Sequence, residues 1–412
     1  MVSSYKNSSC IYVAAIEGGG TSFTCAIARI KTDGGATVEV GQQAEIVSSV
    51  NIPSANSPQL TISQVCSYLA ECSKTFDIQA LGIACFGPLG LDTGDSETYG
   101  CILLTTPKRE WAGINVLNPF LEVLGNNIPF KIDTDVNAPA VAEFESFNSC
   151  CSDGNISSLA YVTVGTGVGV GLVVNGQPVH GMMHPEGGHV CVSQLSGDTF
   201  EGYSWGAKAP YHGSCTVEGL CSSVALVERV LAGQSQTQKQ LRDEGDSVDP
   251  RALLKSIPDD DDLWDHCANA LANLCATLSL LISIERIVLG GGVMNRDILF
   301  PMVRKRTAHI LNGYIGKVEE LSNNCLNREK GGIQTMEDFI AKSSAGNHAG
   351  LFGAVALAEK AYVEACLLKQ KKETLAIQGI KDNDSSIIVL GFLAGTLFGA
   401  ISMRLFLQRK MR

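Results

Sequence analysis

The sequence lacks the features of a secreted or nucleic-acid-binding protein. None of its 15 cysteines belongs to a Cys-x-x-Cys pair, and the polar segment Met1–Ser9 has no apolar core of the kind that a signal peptide needs. The net charge of −11 excludes the broad basic surface that nucleic acid requires. We therefore expect a cytosolic protein that keeps its thiols reduced and binds no nucleic acid.

A long apolar run without a charged residue, Ile387–Met403, lies near the C-terminus. A membrane span needs roughly 17–25 residues, whereas a buried core helix, the alternative, more often contains a run of roughly 10–14. Three glycines in the run, Gly391, Gly395 and Gly399, share one helix face. We predict a linker over residues 370–386 and a transmembrane helix over 387–407.

The position of this run predicts a tail-anchored protein whose main body faces the cytosol. A short span with a basic end suits a thin membrane, which favours the mitochondrial outer membrane, followed by the peroxisome or the endoplasmic reticulum. The second alternative is a helix that lies in the membrane interface. The run lacks the polar face that such a helix requires.

Two glycine-rich turns, each between apolar strands, lie within Ile11–Ile30 and Leu159–Gly176. Glycine lets the backbone approach a ligand closely and point its N–H groups at an anion, although one hairpin glycine more often serves only the turn. Two copies about 150 residues apart predict a duplicated fold with two lobes that close on a polyphosphate. A third turn, within Ile287–Asn295, has the strand–glycine–helix form that suits a nucleotide. The phosphate-binding candidates are Gly18, Gly19, Gly20, Thr21, Gly165, Thr166, Gly167, Gly290, Gly291 and Gly292.

Acidic residues stand beside these turns. Asp135 follows the predicted strand Phe130–Ile132 and precedes a predicted helix. A carboxylate there can accept a proton from a substrate hydroxyl while a phosphate is held opposite, and a helix cap is an equally good interpretation. Glu17 directly precedes the first turn. An acidic residue beside a phosphate needs a cation between the two, which implies Mg²⁺ held through water.

The segment His184–Val190, HPEGGHV, places Glu186 and His189 on a tight glycine turn. Both side chains can bond the hydroxyl groups of a sugar. Downstream, His212 and Cys215 are zinc-ligand types at short spacing, but a structural zinc site usually has four ligands. The alternative is a loop without metal in which the cysteine is simply packed.

Several longer strings together resemble the ROK family of sugar kinases (the repressor, open-reading-frame and kinase family), and within it the bacterial-type fructokinases. The resemblance runs from about Ile11 to Leu367. Glu17 stands where much of the family has Asp, and Ser22 where many relatives have Lys. The strings are IEGGGT, FGPLGLD with YGCILLTTPKREWAGINV, DTDVNAPAVAEF, HPEGGH, LGGGV and GNHAGLFGA.

This resemblance implies an α/β fold of the two-lobed actin/hexokinase-type ATPase class, with ribonuclease-H-like lobes. The first lobe would be residues 11–136, closed by a helix over 349–369, and the second would be 137–345. The implied reaction is the phosphorylation of D-fructose by ATP with Mg²⁺, and we expect a homodimer. Asp135 would be the base, and Glu186, His189 and Glu218 would orient the sugar.

Three other functions stay open. A ROK kinase for glucose, mannose or an amino sugar would use the same parts. A membrane-anchored sugar-binding pseudoenzyme is a further alternative, although the retained Asp135 speaks against it. A sugar-responsive repressor of the family has a DNA-binding helix-turn-helix before the first strand, which we do not expect in the few residues before Ile11.

The zinc loop departs from the family pattern. Ala209 stands where these fructokinases have the first cysteine. The matched ligands are then His189, His212 and Cys215, and Cys191 is a candidate substitute. We expect the zinc site to be weakened or absent.

Overall fold

The structure, a computed structural model, contains two five-stranded sheets whose strands follow the same order. It describes residues 10–31, 44–54, 57–150, 155–233, 250–323 and 332–377. The residues up to Val363 form one compact unit, and a second unit begins at Glu364. Both sheets and the candidate site belong to the first unit.

The first sheet has the order β3-β2-β1-β4-β5. Strand β1 pairs antiparallel with β2 and parallel with β4, and β5 continues the parallel part. Alternate residues of β1 are buried on opposite faces: Val13 and Ala15 on one, Ala14 and Ile16 on the other. Because both faces are covered, the strand is apolar throughout. The strands are β1 Cys10–Gly18, β2 Ser22–Lys31, β3 Ala44–Pro53, β4 Ile78–Cys85 and β5 Phe130–Thr134.

The second sheet repeats this order as β8-β7-β6-β9-β10. Strand β6 takes the place of β1, since it pairs antiparallel with β7 and parallel with β9. The duplicated, two-lobed α/β fold that the two glycine turns predict is therefore confirmed. The strands are β6 Ser158–Val164, β7 Val168–Val174, β8 Gln177–Pro178, β9 Arg286–Gly290 and β10 Ile340–Lys342.

Helices cover both sheets. The helices of the described chain are α1 Pro58–Cys72, α2 Asn118–Leu124, α3 Asn137–Cys150, α4 Val217–Cys221, α5 Ser223–Ala232, α6 Pro250–Ser256, α7 Asp262–Ile282, α8 Leu299–Leu311, α9 Gly316–Asn323, α10 Met336–Phe339 and α11 Ala349–Ile377. Strand β6 contributes to a hydrophobic core on each of its faces. Val162 shares one core with helix α7, and Tyr161 shares the other with helix α3.

Helix α11 returns to the first sheet. A Cβ atom at Gly82 of β4 would lie 1.9 Å from the carbonyl oxygen of Ala354, so only glycine allows this contact. Leu351, Val355 and Ala358 share a core with strand β1. The predicted lobe boundaries at residues 136 and 345, and the linker from residue 370, stay predictions.

The predicted transmembrane helix needs correction. No helix in the part of the chain that the structure describes is both long and apolar enough to cross a membrane. The longest ones, α7 with 21 residues and α11 with 29 residues, contain charged residues and bury apolar faces within the protein body. This finding contradicts the predicted membrane anchor and the predicted tail-anchored mitochondrial localisation. The run Ile387–Met403 lies outside the described residues.

Candidate active site

The carboxyl ends of three parallel strands meet at one edge of the first sheet. The backbone N–H of Phe86 donates to the Gly18 carbonyl at 2.8 Å, and the N–H of Asp135 donates to the Cys85 carbonyl at 3.0 Å. These bonds fix the first glycine turn, the loop after β4 and Asp135 side by side. Ligands of α/β sheets bind at such strand ends.

The first glycine turn is tight at its base and open at its tip. The N–H of Gly19 donates to the Ser22 carbonyl at 2.9 Å, and a Cβ at Gly18 would lie 2.7 Å from the Cys85 sulfur. Gly20 and Thr21 are exposed. The tip of the turn is therefore accessible to a ligand, as an anion site requires.

Residues at the start of α4 and α5 form hydrogen bonds with the second glycine turn. The Glu218 carboxylate accepts the N–H of Val168 at 2.9 Å, and the N–H of Ser223 donates to the Gly165 carbonyl at 2.7 Å. A Cβ at Gly167 would lie 2.6 Å from the same Glu218 oxygen. Glu218, which the resemblance assigns to the sugar, thus also supports the predicted phosphate turn. The third turn follows β9, where Gly291 has a φ of +89° that favours glycine.

Asp135 lies where the two lobes join. Its neighbour Val136 packs on β7, and a Cβ at Gly171 would lie 1.9 Å from the Val136 carbonyl oxygen. The side-chain cap at the start of α3 comes from Thr134, whose hydroxyl accepts the N–H of Asn137 at 3.0 Å. This arrangement favours the base interpretation of Asp135 over the cap.

The pKa of Asp135 is raised to about 6, because burial disfavours the charged carboxylate more than the Lys108 ammonium stabilises it. The pKa of Glu17 is raised to about 7 by burial and by the charge of Asp135. The pKa of Glu186 is also raised to about 7, by burial and by the charges of Glu218 and Asp135. The charge of Asp135 thus raises the pKa of a carboxyl group in each lobe, a pattern typical of active sites.

Glu17 is suited to Mg²⁺ held through water. Its carboxylate accepts the backbone N–H of Leu351 in the first turn of α11, and the repulsion from Asp135 is what a cation would relieve. Mg²⁺ keeps several waters and binds through few protein carboxylates plus substrate phosphates. The described residues contain no group of three or more His, Cys, Asp or Glu that could hold a metal ion, and the role of Glu17 stays a prediction.

Two of the predicted zinc ligands, Cys215 and His189, have other contacts. The Cys215 thiol lies 3.4 Å from the Gln194 side-chain oxygen, and His189 Nε2 lies 3.8 Å from Glu186 Oε2. His212 has a φ of +52° in a tight turn. The zinc site, and the weakening that Ala209 implies, stay predictions.

The predicted sugar-binding turn, which carries Glu186 and His189, packs closely against strand β7. A Cβ at Gly188 would lie 1.8 Å from the Val168 carbonyl oxygen, so glycine lets Glu186 and His189 approach the strand. Glu186 Oε1 lies 3.5 Å from Nδ1 of the buried His184. His184 Nε2 in turn accepts the N–H of Leu89 at 3.1 Å, which joins this turn to the first lobe.

Sequence reasoning missed Lys108 as a site residue. Its ammonium donates to the Gly20 carbonyl and lies 3.9 Å from the centroid of the Phe86 ring. Thr106 positions it, because the Thr106 hydroxyl donates to the Gly87 carbonyl at 3.2 Å and accepts the N–H of Lys108 at 3.3 Å. The only signal in the sequence was the string Thr-Pro-Lys within the fructokinase resemblance.

His180 was also missed. Its Nε2 lies 2.9 Å from Oδ2 of the buried Asp133, and the pKa of His180 is raised mainly by this contact. His180 belongs to an irregular segment without a motif, so nothing in the sequence pointed to it.

Known proteins share this arrangement of strands and turns. The model of the ROK family matches residues 13–361. A fructokinase of Zymomonas mobilis is 33% identical, over 86% of this chain and 98% of its own length. A fructokinase of Pediococcus pentosaceus is 31% identical, over 86% and 99%.

A solved structure agrees in fold. The ROK family glucokinase from Streptomyces griseus, in complex with glucose and AMPPNP, aligns with a TM-score of 0.56 at 19% identity, over 85% of this chain and 99% of its own. The ROK family model spans most of this chain, and the two fructokinases match this chain over nearly their whole length. This protein therefore belongs to the ROK family.

Proposed function

We infer that this protein is a fructokinase, an ATP-dependent hexose kinase that converts D-fructose to D-fructose 6-phosphate. The observation that supports this function best is the position of Asp135 at the end of β5, where its N–H donates to the Cys85 carbonyl at 3.0 Å and its charge acts on Glu17 of the first lobe and Glu186 of the second. Curated relatives named fructokinase are 31% and 33% identical over 86% of the chain.

Asp135 acts as the general base. It accepts the proton of the attacking sugar hydroxyl while the oxygen forms a bond to the γ-phosphorus of ATP. The bond between that phosphorus and the β–γ bridging oxygen breaks, and its electron pair leaves with ADP. A pKa of about 6 keeps Asp135 mostly ionised at neutral pH and basic enough to take the proton.

The glycine turns bind the phosphates of ATP. The N–H groups around Gly18–Thr21 and Gly165–Gly167 cradle the β- and γ-phosphates from the two lobes, and Gly290–Gly292 lies on the nucleotide side. Mg²⁺, when bound to ATP, supplies positive charge on the phosphates, and Glu17 would hold it through water.

The second lobe orients the sugar. Glu186 lies 3.8 Å from His189 Nε2 and within electrostatic range of Glu218 and Asp135, and the carboxylate and ring atoms of Glu186, His189 and Glu218 can bond sugar hydroxyls. With a pKa of about 7, Glu186 exchanges readily between hydrogen-bond donor and acceptor. Closure of the lobes would exclude water, which otherwise competes with the sugar as acceptor.

A substrate panel tests the function. The full chain, with ATP and Mg²⁺, is assayed for ADP release with fructose, glucose, mannose and N-acetylmannosamine; the last is included because N-acetylmannosamine kinases of Vibrio vulnificus are 25% and 27% identical over 55% of this chain. We expect the highest kcat/KM with fructose. A higher value with another hexose would replace fructose as the substrate, and no release with any of them would contradict the kinase. The expected homodimer is tested separately by light scattering.

A further inference from the structure

The first glycine turn lacks a cation of its own. The residues from Glu17 to Ser22 read EGGGTS and contain no Lys or Arg. Glu17 and Asp135 already bring two carboxylates to this place, and the γ-phosphate adds more negative charge. Phosphoryl transfer depends on positive groups that neutralise the charge on the equatorial oxygens.

Lys108 brings an ammonium to this position from another segment. It donates a hydrogen bond to the Gly20 carbonyl, and its Nζ would lie 3.5 Å from a Cβ built on Gly20. The same ammonium acts on Asp135, because its charge lowers the pKa of that carboxyl against the effect of burial. Lys108 is therefore within electrostatic reach of both the phosphate turn and the base.

The surroundings of Lys108 differ from those of an ordinary surface lysine. Lys74, Lys342 and Lys360 each pair with a carboxylate on the protein surface or at its edge. Within the described residues, the Lys108 ammonium contacts a neutral carbonyl, that of Gly20, and the Phe86 ring. Burial lowers its pKa, and the nearby charges of Asp135 and Glu110 raise it only in part, so holding the ammonium there has a net cost. An arriving phosphate would offset it.

We propose that Lys108 is a catalytic residue that binds the phosphoryl group during its transfer and neutralises its developing charge. On ATP binding the ammonium exchanges the Gly20 carbonyl for a γ-phosphate oxygen, which is a stronger, charge-assisted partner. The Thr106 hydroxyl holds the backbone of Lys108 at its amide, so the long side chain alone makes this exchange. The proposal rests on the kinase function inferred above.

The test is a set of purified full-length variants, assayed with fructose and MgATP. Lys108→Met removes the charge but keeps an apolar stem over Phe86, and Lys108→Arg keeps the charge. We expect Lys108→Met to lower kcat by about 10²–10³-fold, the usual effect of losing one group that stabilises developing charge. The KM for fructose should change less than about threefold, since the lysine meets the phosphate and not the sugar. Lys108→Arg should recover part of the loss.

The matched control is Arg109→Met, which removes the same charge from the next residue, an exposed one. It should leave kcat within about twofold of the wild-type value, because an exposed, screened charge contributes little. A second readout is chemical rescue: n-propylammonium added to Lys108→Ala should raise its kcat, whereas a purely structural lysine would give no such rescue. Asp135→Asn should not respond to the amine.

The outcomes separate this proposal from the kinase function. If wild type phosphorylates fructose but Lys108→Met keeps kcat within about threefold, far from the expected loss, the role of Lys108 is wrong and the kinase stands. An equal loss of kcat in Arg109→Met, or the absence of amine rescue, would show that the loss comes from disturbing the segment around Lys108 and not from removing its ammonium. Either result would also overturn the role of Lys108. If wild type phosphorylates no hexose, the function itself fails. Should Lys108→Met not fold, Lys108→Arg and the amine rescue decide the question.

Discussion

Asp133 and His180 form a contact between the lobes, in which His180 Nε2 lies 2.9 Å from Asp133 Oδ2. Asp133 ends β5 two residues before the proposed base, and His180 follows β8 in the second lobe. Asn137 also lies at this junction, since its side-chain oxygen accepts the N–H of Leu172 at 3.0 Å. These contacts link the position of Asp135 to the arrangement of the second lobe.

This contact predicts a pH-dependent contribution to stability. The pKa of His180 is raised in the folded protein, so the contribution is fully present below the unfolded pKa of about 6.5 and is lost as the pH rises through the folded value. His180→Gln should therefore lower the Tm more at pH 5.5 than at pH 8.5. NMR titration gives a direct check: Asp133→Asn should lower the pKa of His180, and an unchanged value would refute the pairing.

Asp135→Asn should lower kcat by about two orders of magnitude or more, because the variant cannot take the proton of the sugar hydroxyl. The KM for fructose should change little. Asp77→Asn, an exposed carboxyl in the same lobe, is the matched control and should behave as wild type. Near-normal turnover in Asp135→Asn would remove the base assignment.

The pH dependence of kcat/KM should show an acid limb. Asp135 must be ionised to accept a proton, and its pKa is raised to about 6, so kcat/KM should fall as the pH decreases through about 6. Glu17 and Glu186 titrate nearby, so the measured value belongs to the coupled group. A profile that stays flat down to pH 4.5 would contradict the burial of Asp135.

Zinc analysis of the purified protein should find well below one tightly bound ion per chain, since Ala209 replaces a thiolate ligand. If zinc is absent, chelators specific for zinc should leave the activity with MgATP unchanged, because no metal fixes the His189 ring. One retained zinc per chain would show the opposite and would indicate Cys191 as the fourth ligand. Cys191→Ser then provides the check, since it should release that ion.

Gly82→Ala should destabilise the protein, because the new methyl group would lie 1.9 Å from the Ala354 carbonyl oxygen and would push α11 off the sheet. Overpacking of this kind costs about 1–3 kcal/mol or more of unfolding free energy. The control is Gly181→Ala, where a Cβ meets nothing within 4 Å. Urea unfolding of both variants measures the difference, and equal stabilities would contradict the close packing of α11.

The ends of some elements depend on tertiary contacts and not only on the local pattern. Strand β3 covers Ala44–Pro53, because its pairing with β2 joins Ala44 to Ile30 and Pro53 to Ser22. Helices α4 and α5 are separate, because the Ser222 hydroxyl accepts the N–H of Ala225 at 3.2 Å and begins α5.

The sequence by itself determined the hairpins, the glycine turns and the place of Asp135 at a strand end. These features depend on residues that are neighbours in the chain, so the apolar periodicity and the glycine positions are enough to predict them. Only the tertiary structure decided which distant residues meet them. Lys108 reaches Gly20 across 88 positions, Glu218 reaches Val168 across 50, and His180 reaches Asp133 across 47. Such contacts follow from how sheets and loops pack in space, which local pattern does not encode.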